Sequence, residues 1–281
     1  MLDTVAAYPD LGIQPGQIFR VFGLRRSGNH AIINWLSRNA PGRTIFFNNC
    51  RAGQSPFAAH NGIEVDGKKV GHPGADANPH VQEAGEGASV FVSYENLMPS
   101  TPRRKPISGP LDLEDITRDV IIARDFLNWA ASLVKKVQGN AELSAHQRMA
   151  FALRLVDVYG DMLDLATQED PSPPVIIRYD AWLEDANYRA DVLQKMGFEQ
   201  QDDSTGRVEA YGNGSSFQPE ATDAQELRPL DRWKAMHDDP EYRTIVWLAL
   251  QDRSFAAKLE QVFPESIGPL GELASKAPYI I

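Results

Sequence analysis

Ile18-Phe19-Arg20-Val21-Phe22-Gly23-Leu24-Arg25-Arg26-Ser27-Gly28-Asn29-His30 is the stretch on which the fold turns. Ile18 to Phe22 is a short run of β-forming, mostly apolar residues between Gly16 and Gly23, and it reads as a strand. Past Gly28, the residues Ile32, Ile33, Trp35 and Leu36 recur at helical spacing until Pro41-Gly42 ends the helix. The unit is strand, loop, helix. A second unit starts at Val120-Ile121-Ile122-Ala123 and passes through Arg124-Asp125 into a helix with Phe126, Leu127, Ala130, Leu133, Val134 and Val137 on its apolar face. A third is Val175 to Tyr179, with Asp180 placed to cap a helix carrying Leu183, Val192, Leu193 and Met196. Ala145 to Ala166 reads as one long amphipathic helix. Val90 to Glu95 is a further strand, whose end delivers Tyr94 and Glu95.

Continuous apolar strands, each followed by a helix, predict a parallel sheet covered on both faces. The expected fold class is α/β: a single three-layer domain over residues 1–281, with a central parallel sheet flanked by helices. Ligands of such sheets bind beyond the carboxyl ends of the strands. Gly23 to His30, Arg124-Asp125 and Arg178-Tyr179 all fall at strand ends, so they are expected to converge. Cys50 to Ser89 is rich in Gly, Ala, Asn, Pro and His without a sustained apolar period, and reads as a long loop region.

Composition narrows the functional classes. The chain is 42% hydrophobic and 23% charged, the balance of a folded globular protein. With 28 Lys plus Arg against 38 Asp plus Glu, the net charge is −10, so no nucleic-acid partner is expected and any anion site must be local. The single cysteine, Cys50, excludes an internal disulfide and a multi-cysteine zinc site. Met1 to Gly16 shows no basic leader followed by an apolar run, and no stretch approaches a membrane span. A cytoplasmic protein is the expectation, and the sequence leaves the oligomeric state open.

The Gly23–Gly28 segment has the G-x-x-x-x-G spacing of a Walker loop. Two glycines let successive backbone N–H groups turn inward, and the helix that follows adds its positive end, making a cradle for phosphate oxygens. The Lys and Ser/Thr of a nucleotide-hydrolysing loop are replaced by Asn29 and His30. Arg25 and Arg26 stand inside the turn instead, which suits an anion gripped by guanidinium rather than through a metal.

Phe22 to Leu36 resembles the 5′-phosphosulfate-binding loop of the sulfotransferases that use 3′-phosphoadenosine 5′-phosphosulfate (PAPS) and release 3′-phosphoadenosine 5′-phosphate (PAP). Arg25-Arg26-Ser27-Gly28 carries that likeness, with Asn29-His30 in place of the family's Thr/Ser pair. Arg124 at a strand end and Ser132 eight residues on resemble the family's 3′-phosphate motif, although Phe126-Leu127-Asn128 departs from the residues usual after it. Val175 to Leu183 resembles the family's strand and turn, and Ser215-Ser216-Phe217 its segment with an aromatic against adenine. Leu227 to Lys234 resembles, with shorter spacing and no glycines, the late element whose basic residue closes on the 3′-phosphate. Either Arg228 or Arg232 fills that role.

The resemblance implies sulfuryl transfer from PAPS to a hydroxyl or amine of a carbohydrate or small-metabolite acceptor, with residues 48–110 on the acceptor side and no metal. Such transfer needs positive charge at the departing oxygen and a base for the acceptor's proton. Arg26 occupies the family's catalytic lysine position; an arginine there stabilises charge without donating a proton. Glu95 is the first candidate base and His72 the second, with Tyr94, His60 and His72 expected near the acceptor. His30 is placed to donate to the 5′-phosphate. His60, His72 and His80 have spacings that fit no metal-binding pair. Trp129 and Trp182 read as core. The rival readings are a P-loop phosphotransferase and a non-catalytic nucleotide-binding protein of the same fold.

Overall fold

Side chains alternate between the faces of a strand, and in β1 (Ile18–Gly23) both faces are apolar: Ile18 and Phe22 pack to one side, Phe19 and Val21 to the other. A strand buried on both faces belongs at the middle of a layered sheet, and β1 sits there. The computed structural model describes residues 14–100, 106–109, 116–206, 216–218 and 228–275.

Along the chain, β1 is followed by α1 (Asn29–Asn39), β2 (Thr44–Phe47), β3 (Ile63–Val65), β4 (Lys68–Gly71), α2 (Asn78–Ala84), β5 (Ser89–Glu95), β6 (Arg118–Ala123), α3 (Phe126–Gln138) and α4 (Ala145–Thr167). Then come β7 (Val175–Arg178), α5 (Tyr179–Glu184), α6 (Ala186–Met196), α7 (Arg232–Ala235), α8 (Pro240–Gln251), α9 (Arg253–Val262) and α10 (Ile267–Ser275). The strands form one sheet in the order β4-β3-β2-β5-β1-β6-β7. On one face α1, α5 and α6 pack through Ile32, Trp35, Leu36, Trp182 and Leu193. On the other, α3, α4, α8 and α9 pack through Trp129, Leu133, Tyr159, Ile245 and Leu259. The architecture is the expected three-layer α/β domain.

Two expectations are corrected. The sheet is mixed: β2, β5, β1, β6 and β7 are parallel, but β3 and β4 run antiparallel at one edge. These edge strands come from the stretch read as loop, where Asp66-Gly67, with φ of 47° and 72°, closes a tight hairpin. Asp180 does not cap a long helix. The helix breaks in two at Asp185, whose side chain accepts from Asn187 N and caps α6, while Asp180 lies buried within α5 and accepts from the backbone of Asp125. Among the described residues, no helix is long and apolar enough to cross a membrane.

Candidate functional site

The carboxyl ends of β1, β5 and β6 lie side by side, and the loop leaving β1 folds over them. Gly28 takes φ 89°, and a Cβ there would meet the Tyr179 ring at 2.3 Å; only glycine permits that approach. Arg26 is held at φ 74°, a conformation rare outside glycine and asparagine. Ser27 N donates to Leu24 O at 3.1 Å, closing the turn, and Ile32 N to Gly28 O at 3.2 Å starts α1. The Ser27 hydroxyl is fully buried, and neither it nor Asn29 Oδ1 finds a hydrogen-bond partner among the described residues. The turn is a concave cradle at a helix N-terminus, with room in its bonding for a further group.

Behind the loop, Arg124 leaves β6 fully buried. Its Nη1 donates to Arg26 O at 3.1 Å and to Ser132 Oγ at 3.3 Å, and its Nη2 to Pro229 O. Arg232 Nη1 donates to the same Ser132 hydroxyl at 2.9 Å. The Arg124 guanidinium lies over the Tyr179 ring at 5.1 Å, and that of Arg232 over Phe217 at 5.4 Å. Arg232 reaches this place because Asn128 locks its segment, donating to Leu230 O at 3.0 Å and accepting from Trp233 N at 3.1 Å. Like charges crowd one another here. Burial, then Arg124, pull Arg232 down to about 9, and Arg26 is lowered by burial and then by Arg124 and Arg25. A cluster of buried cations in this arrangement has the chemistry to receive a multiply charged anion.

On the other side of the loop, β5 ends at Glu95. Its Oε2 accepts from Asn49 Nδ2 at 3.4 Å and lies 3.9 Å from Arg25 Nε. Burial raises the Glu95 carboxyl above its ordinary range, against the opposing pull of Arg25 and Arg26. Arg25 is itself fixed at both backbone groups: its N–H donates to Asn96 Oδ1 at 2.9 Å and its carbonyl accepts from Trp129 Nε1 at 3.0 Å. Two cations, a glycine turn at a helix N-terminus and a carboxylate of raised proton affinity thus stand close together, groups whose chemistry suits holding an anion and accepting a proton.

The structure gathers Arg25, Arg26, Ser27, Gly28, Asn29, Arg124, Ser132, Phe217 and Arg232 in or around the loop after β1, with Glu95 beside Arg25. Arg228 is not among them: it is exposed, and its N–H donates to Gln218. His72 is also elsewhere, exposed beyond β4 at the far edge of the sheet, with three strand steps between β4 and β5. His60 is buried and bonded to Ala75 O, and Tyr94 is buried against Phe22 with its hydroxyl on Ser108, so both are packed in the interior. Burial holds His30 down to about 4, so it is neutral at physiological pH, and its ring packs edge-on to Phe46. Trp129 and Trp182 are core residues, as expected. Ser215 and Leu227 lie outside the described residues. Among the described residues no cluster of His, Cys, Asp and Glu is placed to hold a metal.

No protein-family model matches this chain, and no curated protein does. Among solved structures, a mouse sulfotransferase, SULT7A1, complexed with PAP, aligns with 12% identity and a TM-score of 0.40, over 68% of this chain and 64% of that one.

Sequence reading passed over three residues of the site. Lys136 is one helical turn past Ser132 on the same face of α3, and its pKa is lowered by burial and by the nearby charges of Arg26 and Arg25. Counting i, i+4 from Ser132 finds it. Asn49 and Asn96 follow the ends of β2 and β5, and both have left-handed backbones, with φ of 44° and 57°. Their signal was the position of an asparagine just past a strand end.

Proposed function

We propose that this chain is a sulfotransferase that moves a sulfuryl group from PAPS to a hydroxyl or amine of a carbohydrate or small-metabolite acceptor. The observation that supports this reading is a pair of polar clusters on adjacent strand ends, each suited to an anion: the Gly23–Gly28 turn, and the Ser132 hydroxyl shared by Arg124 and Arg232. A nucleotide with phosphates at both its 5′ and 3′ positions fits that pairing. The buried Ser27 Oγ and Arg124 Nε, which lack partners among the described residues, fit it as well. When bound, PAPS supplies an activated sulfuryl group attached to a phosphate leaving group.

In this reading the loop N–H groups and Arg26 hold the 5′ end, while Arg124, Ser132 and Arg232 hold the 3′-phosphate. Phe217, against Arg232, would meet the adenine ring. Arg26 meets the negative charge that grows on the departing bridging oxygen and does so without losing a proton. Glu95 takes the acceptor's proton as the new bond to sulfur forms and the old sulfur–oxygen bond breaks. Residues 48–110 provide the acceptor side, and a cytoplasmic location belongs to the same proposal. A phosphotransferase loop would carry Lys and Ser/Thr where Asn29 and the neutral His30 stand, which disfavours that alternative.

Removing the 3′-phosphate contact tests the assignment. In Arg124→Ala, PAP affinity is expected to fall about tenfold or more beyond any loss for AMP, which shares only the loop that Arg124 braces through Arg26 O, measured by calorimetry. Ser132→Ala, a smaller change at the same place, should discriminate in the same direction. Equal losses for PAP and AMP in both variants would remove the assignment.

A further inference from the structure

Asn49 is a non-glycine residue in left-handed backbone, the second residue past the end of β2, the strand paired with β5. Asparagine tolerates that conformation better than most side chains, so the turn can carry an amide at this point. The turn that holds it is tied to β5: Asn49 N donates to Ser93 Oγ and Cys50 N to Ser93 O, both at 2.8 Å. From that position the amide brackets Glu95. Its Oδ1 accepts from Glu95 N and its Nδ2 donates to Glu95 Oε2, each at 3.4 Å. Arg25 Nε approaches the same oxygen, Oε2, at 3.9 Å. Both contacts therefore converge on Oε2, and among the described residues Oε1 accepts no hydrogen bond.

We propose that Asn49 is a positioning residue for Glu95: with Arg25, it fixes Oε2 and turns Oε1 outward as the oxygen that takes the acceptor's proton. The inference rests on the reading of Glu95 as the base. The two contacts do different work. Arg25 is a charge, and together with Arg26 from the same loop it opposes the effect of burial on Glu95; Lys136 of α3 stands beside those two arginines. Asn49 is neutral, so it orients the carboxylate and favours its ionised form through one N–H donor, without the large loss of basicity a third cation would bring. At 3.4 Å each bond is weak, and the expected effect is a few-fold one.

The test is a pH titration of the Glu95 carboxyl by NMR, in full-length protein labelled with ¹³C at glutamate side-chain carboxyls, with the resonance assigned by Glu95→Gln. Asn49→Gly suits the left-handed backbone and removes only the amide. It should tighten proton binding at Glu95 about two- to fivefold while PAP affinity stays within about twofold. Asn49→Asp places a carboxylate against Oε2 and should raise the Glu95 midpoint further. A Glu95 titration superimposable on the wild type in both variants would overturn the proposal. Failure of the wild-type protein to bind PAP would instead overturn the sulfotransferase reading, and the titration would still measure the Asn49–Glu95 contact on its own.

Discussion

Glu95 carries the sharpest chemical expectation at the residue scale. A base must be ionised to work, and burial raises this carboxyl above its ordinary range despite Arg25 and Arg26. Turnover of PAPS with an acceptor is therefore expected to rise with pH through a midpoint above that of a free glutamate, and to fall as the carboxyl is protonated. Glu95→Gln should cut turnover about 100-fold or more with PAP affinity within about threefold; unchanged turnover would remove Glu95 from the base role. Gly28 makes a second prediction. Alanine there suffers at φ 89° and drives its Cβ into the Tyr179 ring, so Gly28→Ala should destabilise the protein by about 2 kcal/mol or more, read by urea denaturation, and weaken PAP binding. Side chains were unevenly legible at this scale. Arg124 stands at the end of β6 and Ser132 about two turns into the α3 helix that follows, so the eight-residue spacing by itself conveys that the hydroxyl can meet the guanidinium. Whether Arg228 or Arg232 reached them depended on how Asn128 pins the segment between, a long-range contact that no local pattern encodes.

At the scale of elements, the start of α3 stores a pH dependence. Asp125 caps the helix by accepting from Asn128 N at 2.9 Å, and its own N–H donates to Asp180 Oδ2 at 2.9 Å. Complete burial, then the neighbouring Asp180 charge, hold the Asp125 carboxyl well above its usual range. The folded state thus binds a proton that the unfolded state releases near pH 4. Stability from this group is full below the unfolded midpoint and is lost as pH rises through the raised folded one. Asp180→Asn removes the like charge and should flatten the decline in unfolding free energy between about pH 5 and 9; an unchanged slope would contradict the account. The elements themselves were readable where a run of β-formers lay between glycines, as in β1, or ran unbroken up to a charged pair, as in β6 before Arg124-Asp125. The β3–β4 hairpin was missed because its strands are three and four residues long, and Lys68 and Lys69 on the outer strand face water, which hides any apolar alternation. Its Asp66-Gly67 turn was the one local signal available.

Across the whole molecule, a chain of net charge −10 concentrates Arg25, Arg26, Arg124, Arg232 and Lys136 at one end of a sheet. The layered fold makes this possible, because β5, β1 and β6 are neighbours in space though far apart in sequence. Strand–helix alternation made the layers legible, but the order of the strands was not, since parallel pairing is set by packing between distant segments. The cation cluster is also what a ligand should relieve. The decisive measurement is thermal stability of the protein with added PAP, compared with ATP plus Mg²⁺. A ligand at 100 times its dissociation constant that binds only the folded state adds about 2.7 kcal/mol. The account predicts a clear rise with PAP and little with ATP plus Mg²⁺; a rise only with ATP plus Mg²⁺, or none with either, would contradict it.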